Sequence, residues 1–158
     1  MGFQEAYDRL KAFGFEERIK TPEAPTPTVE AAARAVGCEP EHIAKTLAFY
    51  GEEGPILVVA AGDAKVDNRR FREEFGCKPK MISFDEVEDL VGHAPGGVCP
   101  FGVKEGVRVT LDVSLRRFSY VYPAAGDDHS AVKLTPEELY ECAEALSWVD
   151  VCKAWRDA

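Results

Sequence analysis

The sequence predicts an α+β fold, one domain in which helices surround a mixed or largely antiparallel β-sheet. Helical and strand-like hydrophobic patterns alternate along the 158 residues, but several predicted strands follow one another directly. Consecutive strands favour antiparallel pairing over a doubly wound parallel sheet. Hydrophobic residues make up 46% of the chain and no segment is repetitive or of low complexity, so we expect a single core.

Two helices are predicted before the first long strand. Apolar residues recur at helical spacing over residues 3–13, and the glycine that follows ends this helix. Prolines favour an extended segment over residues 15–27. Thr26 and Pro27 have the residue types of an N-cap and a first helical position. They are expected to begin a second helix that ends at Gly37.

The most regular strand pair lies near the middle of the chain. A short helical turn in EPEHIA, at 39–44, precedes the strand KTLAFY at 45–50. GEEG then connects this strand to PILVVAAG at 55–62, which predicts a hairpin with a glycine-bearing turn. The second strand is apolar on both faces, so we expect it at the centre of the sheet.

The next segment combines helix caps with one more strand. Asp67 is predicted to cap a helix that ends at Gly76. The stretch KPKMI, at 78–82, is interpreted as a strand. Ser83 and Glu86 have the spacing of a capping box, which predicts a further helix directly after them.

The last third of the chain is predicted to add strands and a final helix. Thr135 and Glu138, with a proline between them, have the pattern of another capping box. The tail SWVDVCKAW, at 147–155, is expected to pack on the body of the domain. The strands are expected at 107–115, 118–126 and 130–134.

Charge and cysteine content narrow the functional classes. A net charge of −9 argues against binding DNA or other long nucleic acid through many phosphates, but it allows contact with one end of an RNA. Five widely spaced cysteines without a CxxC pair do not indicate a disulfide framework. We see neither a signal peptide nor an apolar run of membrane-spanning length, so we expect a cytoplasmic protein without a membrane partner.

The loop GHAPGGVCPFG, at 92–102, is the most unusual segment, because glycine and proline dominate it and charge is almost absent. Gly96 and Pro100 are four residues apart, and such a rigid pair can present backbone N–H groups convergently, as an oxyanion hole does. A tight structural connection explains the same pattern. Cys99 is interpreted either as a packed small residue or as a thiol paired with a distant histidine.

Two further stretches carry polar groups that could bind a substrate. Lys45 begins a strand among apolar neighbours, where it could hold a carbonyl or a phosphate, although an exposed edge lysine is the simpler interpretation. Thr46 could donate a hydrogen bond or only favour a strand. AAGDDHS, at 124–130, is either a polar substrate site or a turn between strands. No zinc signature is present, and a turn with a helix cap explains the acids of GDAKVD at 62–67.

Five motifs in this order resemble the YbaK/EbsC family: AKTLAFY, VVAAGDAKVD, GHAPGGVCPFG, YPAAG and LTPEEL. That family shares its domain with the editing insertion of bacterial prolyl-tRNA synthetase. The resemblance covers about residues 26–140, and the glycine loop ending in PFG is its most specific motif. It implies that residues 1–158 form one α+β domain with a mixed, largely antiparallel, barrel-like sheet. It also implies hydrolysis, in trans, of the ester between a wrong amino acid and a tRNA.

The resemblance implies roles for individual residues and no cofactor or metal. Lys45 matches the lysine that helps hold the acceptor end of the tRNA, and Gly96–Pro100 matches the GxxxP motif that shapes the pocket around the scissile carbonyl. Asp127 matches the polar residue after AAG. The catalytic residues expected on this basis are Lys45, Gly96, Gly97 and Pro100. The substrate-binding residues expected are Thr46, His93, Val98, Cys99, Gly126, Asp127 and His129.

The resemblance leaves the edited amino acid open. Members of the superfamily remove Cys, Ala, Ser or Thr, and the relation to prolyl-tRNA synthetase implies tRNAPro as carrier and that synthetase as a partner. An aminoacyl ester is already activated, so its hydrolysis mostly needs an oriented water and a stabilised oxyanion. Two other functions are compatible with the sequence: a non-catalytic module that binds an acceptor end, a synthetase or a nucleotide, and a thiol enzyme that uses Cys99.

Overall fold

The computed structural model describes residues 2–21, 28–127 and 129–156. Within these ranges five α-helices and nine β-strands are joined by loops and short 3-10 turns. None of these helices is both long and apolar enough to cross a membrane. The helices are α1 (Gly2–Ala12), α2 (Val29–Val36), α3 (Asn68–Phe75), α4 (Val87–Val91) and α5 (Pro136–Cys142). The strands are β1 (Ile19–Lys20), β2 (Ile43–Phe49), β3 (Ile56–Ala61), β4 (Lys65–Val66), β5 (Arg108–Asp112), β6 (Tyr122–Pro123), β7 (Ala131–Val132), β8 (Ser147–Val149) and β9 (Cys152–Lys153).

A five-stranded mixed sheet occupies the middle of the domain, in the order β6-β2-β3-β5-β8. β2 and β3 form the predicted hairpin, in which Lys45 lies opposite Ala60. The pairs β2–β6, β3–β5 and β5–β8 are parallel. Two short antiparallel pairs, β1–β7 and β4–β9, form separate two-stranded sheets.

The predicted α+β class with a mixed sheet is confirmed, but the pairing in the central sheet differs from the expectation. Only the β2–β3 hairpin is antiparallel there, so this sheet is not largely antiparallel. The reason is that the segment containing α3 and α4 separates β3 from β5 and brings the chain back in the same direction. Bridges Val121–Leu134 and Ala124–Ala131 connect the region around β6 to that around β7, which extends the pairing towards β1.

β3 lies at the centre of the core, as its apolar pattern predicts. All six of its residues are buried. Three helices each add a fully buried large side chain, namely Leu10, Phe71 and Leu139. Burial of such a side chain contributes roughly 1.5–3 kcal/mol relative to exposure. Apolar contact with the sheet therefore holds these helices in place.

Several helix ends lie where the residue types predict. The Asp67 carboxylate caps α3 by accepting hydrogen bonds from the N–H groups of Arg69 and Arg70. Thr135 and Glu138 form the predicted capping box of α5. Each such cap contributes about 1 kcal/mol to helix stability. The local polar pattern is therefore sufficient to place these two helices.

The start of α2 differs from the expectation in its cap. The predicted cap Thr26 and the first helical position Pro27 lie outside the described residues. The Thr28 hydroxyl caps α2 by accepting from the N–H of Ala31 at 3.0 Å. The helix ends at Gly37 as predicted, because that glycine adopts the left-handed conformation with φ 80°.

Two local predictions between α3 and β5 are wrong. Residues 78–82 form no strand and make only one isolated bridge to the end of β2. Ser83 and Glu86 do not form a capping box. The Glu86 carboxylate instead accepts hydrogen bonds from the hydroxyls of Tyr50 and Ser83. The Tyr50 hydroxyl, at the end of β2, therefore binds the Glu86 carboxylate that the local pattern predicts to cap the helix.

The C-terminal tail packs on the domain, as predicted. β8 extends the central sheet beside β5, and β9 pairs with β4. The strand predicted at 107–115 ends earlier, at Asp112. Its buried carboxylate accepts from the N–H groups of Ser114 and Val151, at 3.0 and 2.9 Å. Asp112 therefore ends β5 and also fixes the tail.

Candidate functional site

A cavity of about 250 Å³ opens between α2, β2, the 92–102 loop and the segment from Tyr122 to Ala131. Its wall combines nearly equal numbers of apolar and polar side chains. A concave site in which polar groups stand among apolar ones can orient a small ligand. The predicted site residues that line it are Lys45, Thr46, Gly96, Val98 and Asp127.

Lys45 of β2 lines the cavity, and its amino group is held by the turn that follows β3. Its Nζ donates hydrogen bonds to the backbone carbonyls of Gly62, at 3.4 Å, and Ala64. The side chain is half-buried, and this burial lowers the pKa of Lys45 from its ordinary value of 10.5. An ammonium group has three N–H donors. Two are used by the turn that follows β3, which leaves one donor for a ligand.

The turn that holds Lys45 is itself fixed by an ion pair. Asp63 forms a two-point contact with the Arg117 guanidinium, at 2.6 and 3.0 Å. The Nε of Arg117 also donates to the carbonyl of Ser114 at 2.9 Å. Both charged side chains are about three-quarters buried, with exposures of 26% and 30%. This paired geometry limits the movement of the carbonyls that position the lysine amine.

The 92–102 loop forms the opposite wall through close backbone contacts. Gly96 faces the cavity with φ 89°, a conformation that favours glycine. Gly97 is buried, and a Cβ on it would lie 2.6 Å from the Cα of Asp127. Its N–H donates to the carbonyl of Ala94 at 3.0 Å. Gly97 therefore sets the distance between the loop and the neighbouring wall, and its amide is already paired.

Two other amides of the loop are not paired in this way. Among the described residues, no acceptor binds the backbone N–H of Gly96 or of Val98. Both residues line the cavity. A ligand oxygen is a suitable partner for such groups, since an amide without a partner loses hydrogen-bond energy.

His93 and Cys99 lie behind the loop rather than in the cavity wall. Both are fully buried. The His93 Nε2 lies 2.7 Å from the carbonyl of Phe101 and 3.6 Å from the Cys99 Sγ. Because the carbonyl of Phe101 can only accept a hydrogen bond, the Nε2 of His93 carries the proton. Burial lowers the pKa of His93 and raises the pKa of the Cys99 thiol to about 12. This thiol is neutral at physiological pH and is closed to a substrate.

The segment at 126–130 contributes one lining acid and one unpredicted hydroxyl. The Asp127 carboxylate lines the cavity and accepts from the backbone N–H of His129 at 3.0 Å. The His129 ring is partly exposed, with its Nδ1 3.6 Å from the same carboxylate. Gly126 is buried against α1, where a Cβ would lie 2.6 Å from the backbone of Gly2 and Phe3.

Two hydroxyls of the cavity wall have no partner. Within the described part of the chain, the Thr46 Oγ1 and the Ser130 Oγ are buried and make no hydrogen bond. Ser130 is only 3% exposed. An unpaired buried hydroxyl costs about 1–3 kcal/mol, and rotation about χ1 can turn it towards a ligand. The sequence analysis included Ser130 only as the last residue of the AAGDDHS stretch and did not single it out as a site residue.

The structure thus brings together only part of the predicted site. Six predicted residues stand outside the cavity wall as supporting or neighbouring groups, and Tyr122 joins the wall without having been predicted. Over the described ranges, no group of three or more His, Cys, Asp or Glu residues is arranged to hold a metal ion. The six residues are His93, Gly97, Cys99, Pro100, Gly126 and His129.

Comparison with known sequences finds similarity over most of the chain. The family model of the aminoacyl-tRNA editing domain matches residues 23–142. The uncharacterized protein YwhH of Bacillus subtilis is 51% identical over 134 residues, which cover 84% of this chain and 85% of that protein. A proline–tRNA ligase of Limosilactobacillus fermentum is 32% identical over 107 residues, which cover 64% of this chain and 19% of the ligase. The chain thus spans about a fifth of such a ligase.

Two solved structures resemble the whole domain. The crystal structure of a candidate trans-editing enzyme for prolyl tRNA synthetase superposes with a TM-score of 0.86 and 29% identity, over 96% of this chain and 97% of that one. The crystal structure of hypothetical protein APE2540 gives a TM-score of 0.83 and 28% identity, over 94% and 99% of the two chains.

Proposed function

We propose that this chain, which belongs to the aminoacyl-tRNA editing domain family, hydrolyses the ester of a mischarged aminoacyl-tRNA in trans. Family membership supports aminoacyl-tRNA editing in general. The observation that supports the finer proposal is a cavity whose lining includes both Lys45 and the loop residues Gly96 and Val98. We take residues 1–158 as one editing domain, acting in the cytoplasm.

The chemistry proposed for the cavity does not need a protein nucleophile. Attack of water on the activated ester places negative charge on the carbonyl oxygen. The N–H groups of Gly96 and Val98 are the donors proposed for this oxygen. One such preorganised donor is typically worth a factor of about 10²–10³ in rate. Cys99 is not proposed as the nucleophile, because it is buried and burial raises the pKa of its thiol to about 12.

Lys45 is proposed to hold the RNA end rather than to transfer a proton. The Gly62 and Ala64 carbonyls orient its amine, and the remaining N–H can bind a phosphate or a ribose oxygen. Gly97 and Pro100 are proposed to act through the shape of the loop. His93 and Cys99 support the loop from behind, where His93 donates to the carbonyl of Phe101.

The unpaired hydroxyls favour two of the four candidate amino acids. Thr46 and Ser130 offer hydrogen-bonding partners in the cavity wall, and a side chain with its own hydroxyl can satisfy them. A site with unpaired polar groups discriminates strongly against an analogue that lacks the matching group. We therefore propose Ser or Thr as the edited amino acid, in preference to Ala or Cys.

The proposed carrier is tRNAPro, supported by the proline–tRNA ligases among the relatives. With a net charge of −9, the protein is suited to contact the acceptor end rather than the whole tRNA. A synthetase partner, such as prolyl-tRNA synthetase, is proposed to supply further affinity for the tRNA.

The test is deacylation of tRNAPro charged separately with Ser, Thr, Ala, Cys or Pro. We expect the wild type to cleave the Ser or Thr ester and to spare Pro. Lys45→Ala and the volume-conserving Lys45→Met are expected to lower kcat/KM by a factor of about 10–150, the range for one lost hydrogen bond to a charged group. Lys65→Ala, which removes an exposed lysine of the adjacent strand β4, is the matched control and should keep full activity.

Two results would contradict the proposal in different ways. Full activity in both Lys45 variants would remove the lysine from the mechanism. If the folded wild type binds charged tRNA but cleaves none of the five esters, the protein is the non-catalytic binding module.

A further inference from the structure

A second cleft, of about 540 Å³, lies beside the candidate site. Tyr122 lines both the cavity and this cleft, so the two spaces adjoin at this residue. The cleft is otherwise formed by the end of α2, the turn that follows it, and residues near β6 and β7. A ligand that fills the cavity can therefore extend into the cleft through its next chemical group.

The cleft combines an exposed aromatic ring with a cation. Tyr120 is 45% exposed, although it is a large aromatic residue. The Lys133 Nζ lies 4.4 Å from the centre of the Tyr120 ring, which is a cation–π distance. His42 also lines the cleft, and its ring contacts the Phe118 ring, with centroids 4.3 Å apart. Flat π-systems next to positive charge are the elements that bind unpaired nucleotides.

A second lysine stands near the same cleft. Lys20 of β1 pairs with Ala131 of β7, directly before the segment that carries Lys133. Burial, with Glu39 and Glu41, raises the pKa of the Cys38 thiol in the cleft wall, and the charge of Lys20 acts in the opposite direction. Of the two lysines, Lys133 lines the cleft, together with the acid Glu39, and Lys20 lies outside its lining.

We propose that this cleft binds the unpaired nucleotide that precedes the aminoacylated terminal nucleotide of the RNA. Its base would stack on Tyr120, and its phosphate would contact Lys133. This inference rests on the proposed function, which places the terminal aminoacyl ester in the cavity on the other side of Tyr122. A stacked base needs no sequence-specific hydrogen bonds, because every base presents a π-face.

The experiment compares two substrates that differ only in the nucleotides before the ester. One is charged tRNA, and the other is the aminoacyl ester of adenosine alone. We expect Tyr120→Ala to raise the KM for charged tRNA by about five- to a hundredfold, the range of one lost base stack. The increase in KM for charged tRNA should exceed the increase in KM for the adenosine ester by at least about fivefold. Tyr120→Phe, which keeps the ring, should restore tRNA binding.

Two further variants make the test specific. Lys133→Gln should weaken tRNA binding and lower the slope of log affinity against log salt by about one, as expected for one phosphate contact. Phe13→Ala removes another partly exposed aromatic ring, at the end of α1, and should leave both substrates unaffected. Equal losses on tRNA and on the adenosine ester in Tyr120→Ala would overturn the inference.

Direct binding separates this inference from the proposed function. Affinity for uncharged tRNA, measured by calorimetry, does not depend on hydrolysis. If Tyr120→Ala lowers the affinity for uncharged tRNA, this result supports nucleotide binding in the cleft, even if the wild type cleaves no ester. Unchanged affinity in Tyr120→Ala and Lys133→Gln overturns it even if the wild type is an active deacylase. An effect that appears only when prolyl-tRNA synthetase is added would assign the cleft to a protein partner and also overturn it.

Discussion

The two walls of the cavity are held in place by different means. The lysine wall, residues 43–46 backed by the turn at 62–64, depends on polar side chains: the Lys45 amine binds two carbonyls, and Asp63 pairs with Arg117. The glycine wall, residues 96–98 packed against Asp127, depends on backbone atoms in close contact. The first wall positions a charge, and the second sets a shape.

This difference implies different responses to substitution. A polar side-chain contact can be weakened while the backbone stays in place. A backbone contact without room for a Cβ cannot adjust in this way, since well-packed regions tolerate little extra volume. We therefore expect changes in the glycine wall to reduce stability and activity together. Changes in the lysine wall should reduce activity with a smaller effect on stability.

The largest effect is expected for Gly97→Ala. The added Cβ would lie 2.6–2.9 Å from three backbone atoms of Asp127, so one wall must move. Overpacking of this kind costs typically about 1–3 kcal/mol. Urea unfolding should show this loss, and deacylation should fall with it.

Gly76→Ala is the control for this prediction. Gly76 lies at the end of α3 with φ 78°, and nothing lies within 4 Å of the position that a Cβ would take there. This substitution should lower the free energy of unfolding only by the conformational strain, about 1 kcal/mol, and activity should be retained. Equal effects of the two substitutions on activity would show that backbone contact does not define the glycine wall.

The next effect is a pH dependence of stability caused by His93. Burial keeps its pKa below the ordinary 6.5, so the unfolded chain binds a proton that the folded chain does not. The free energy of unfolding should therefore decrease as the pH falls below about 6.5. His93→Gln should make this decrease shallower. Unfolding curves between about pH 7.5 and 5 test this, and an identical slope in the two proteins would contradict it.

A smaller effect is expected for Cys99→Ala. The side chain is fully buried, and loss of a group of this size costs about 0.5–1.5 kcal/mol. Activity at a temperature well below the unfolding midpoint should be retained, and iodoacetamide should not inactivate the wild type through this residue. Loss of activity in folded Cys99→Ala would support the thiol enzyme.

The smallest change in stability is expected for Arg117→Lys. Lysine keeps the charge but cannot make the two-point contact with Asp63. An ion pair of this exposure contributes up to about 1 kcal/mol. Deacylation should fall several-fold, because the carbonyls that hold Lys45 become less restrained. A fall in stability larger than that of Gly97→Ala would reverse the comparison between the two walls.

The same contrast explains what the sequence could predict. Local patterns place the β2–β3 hairpin, the Asp67 cap and the Thr135 capping box, because each depends on residues close in the chain. The GDAKVD stretch contains the predicted turn, but its role as the acceptor for Lys45 depends on tertiary contact. Ser130 was not singled out as a site residue for the same reason.

Local patterns also fail where a distant group competes for a side chain. Ser83 and Glu86 have the sequence of a capping box, yet the hydroxyl of Tyr50 donates a hydrogen bond to the Glu86 carboxylate instead. His93 and Cys99 belong to the most specific motif, yet both are buried behind the wall. A motif identifies a segment, but it does not say which of its side chains reach the cavity.

The β1–β7 pair has a consequence for how this protein is made. It joins Ile19 to Val132 and Lys20 to Ala131, and Ala131 also lines the cavity. Contacts between residues so far apart in the chain form slowly, because a large loop must close first. On the ribosome, the β2–β3 hairpin is synthesised well before its partners in the cavity wall. The cavity wall therefore cannot be complete on the nascent chain until Ala131 and Val132 have emerged.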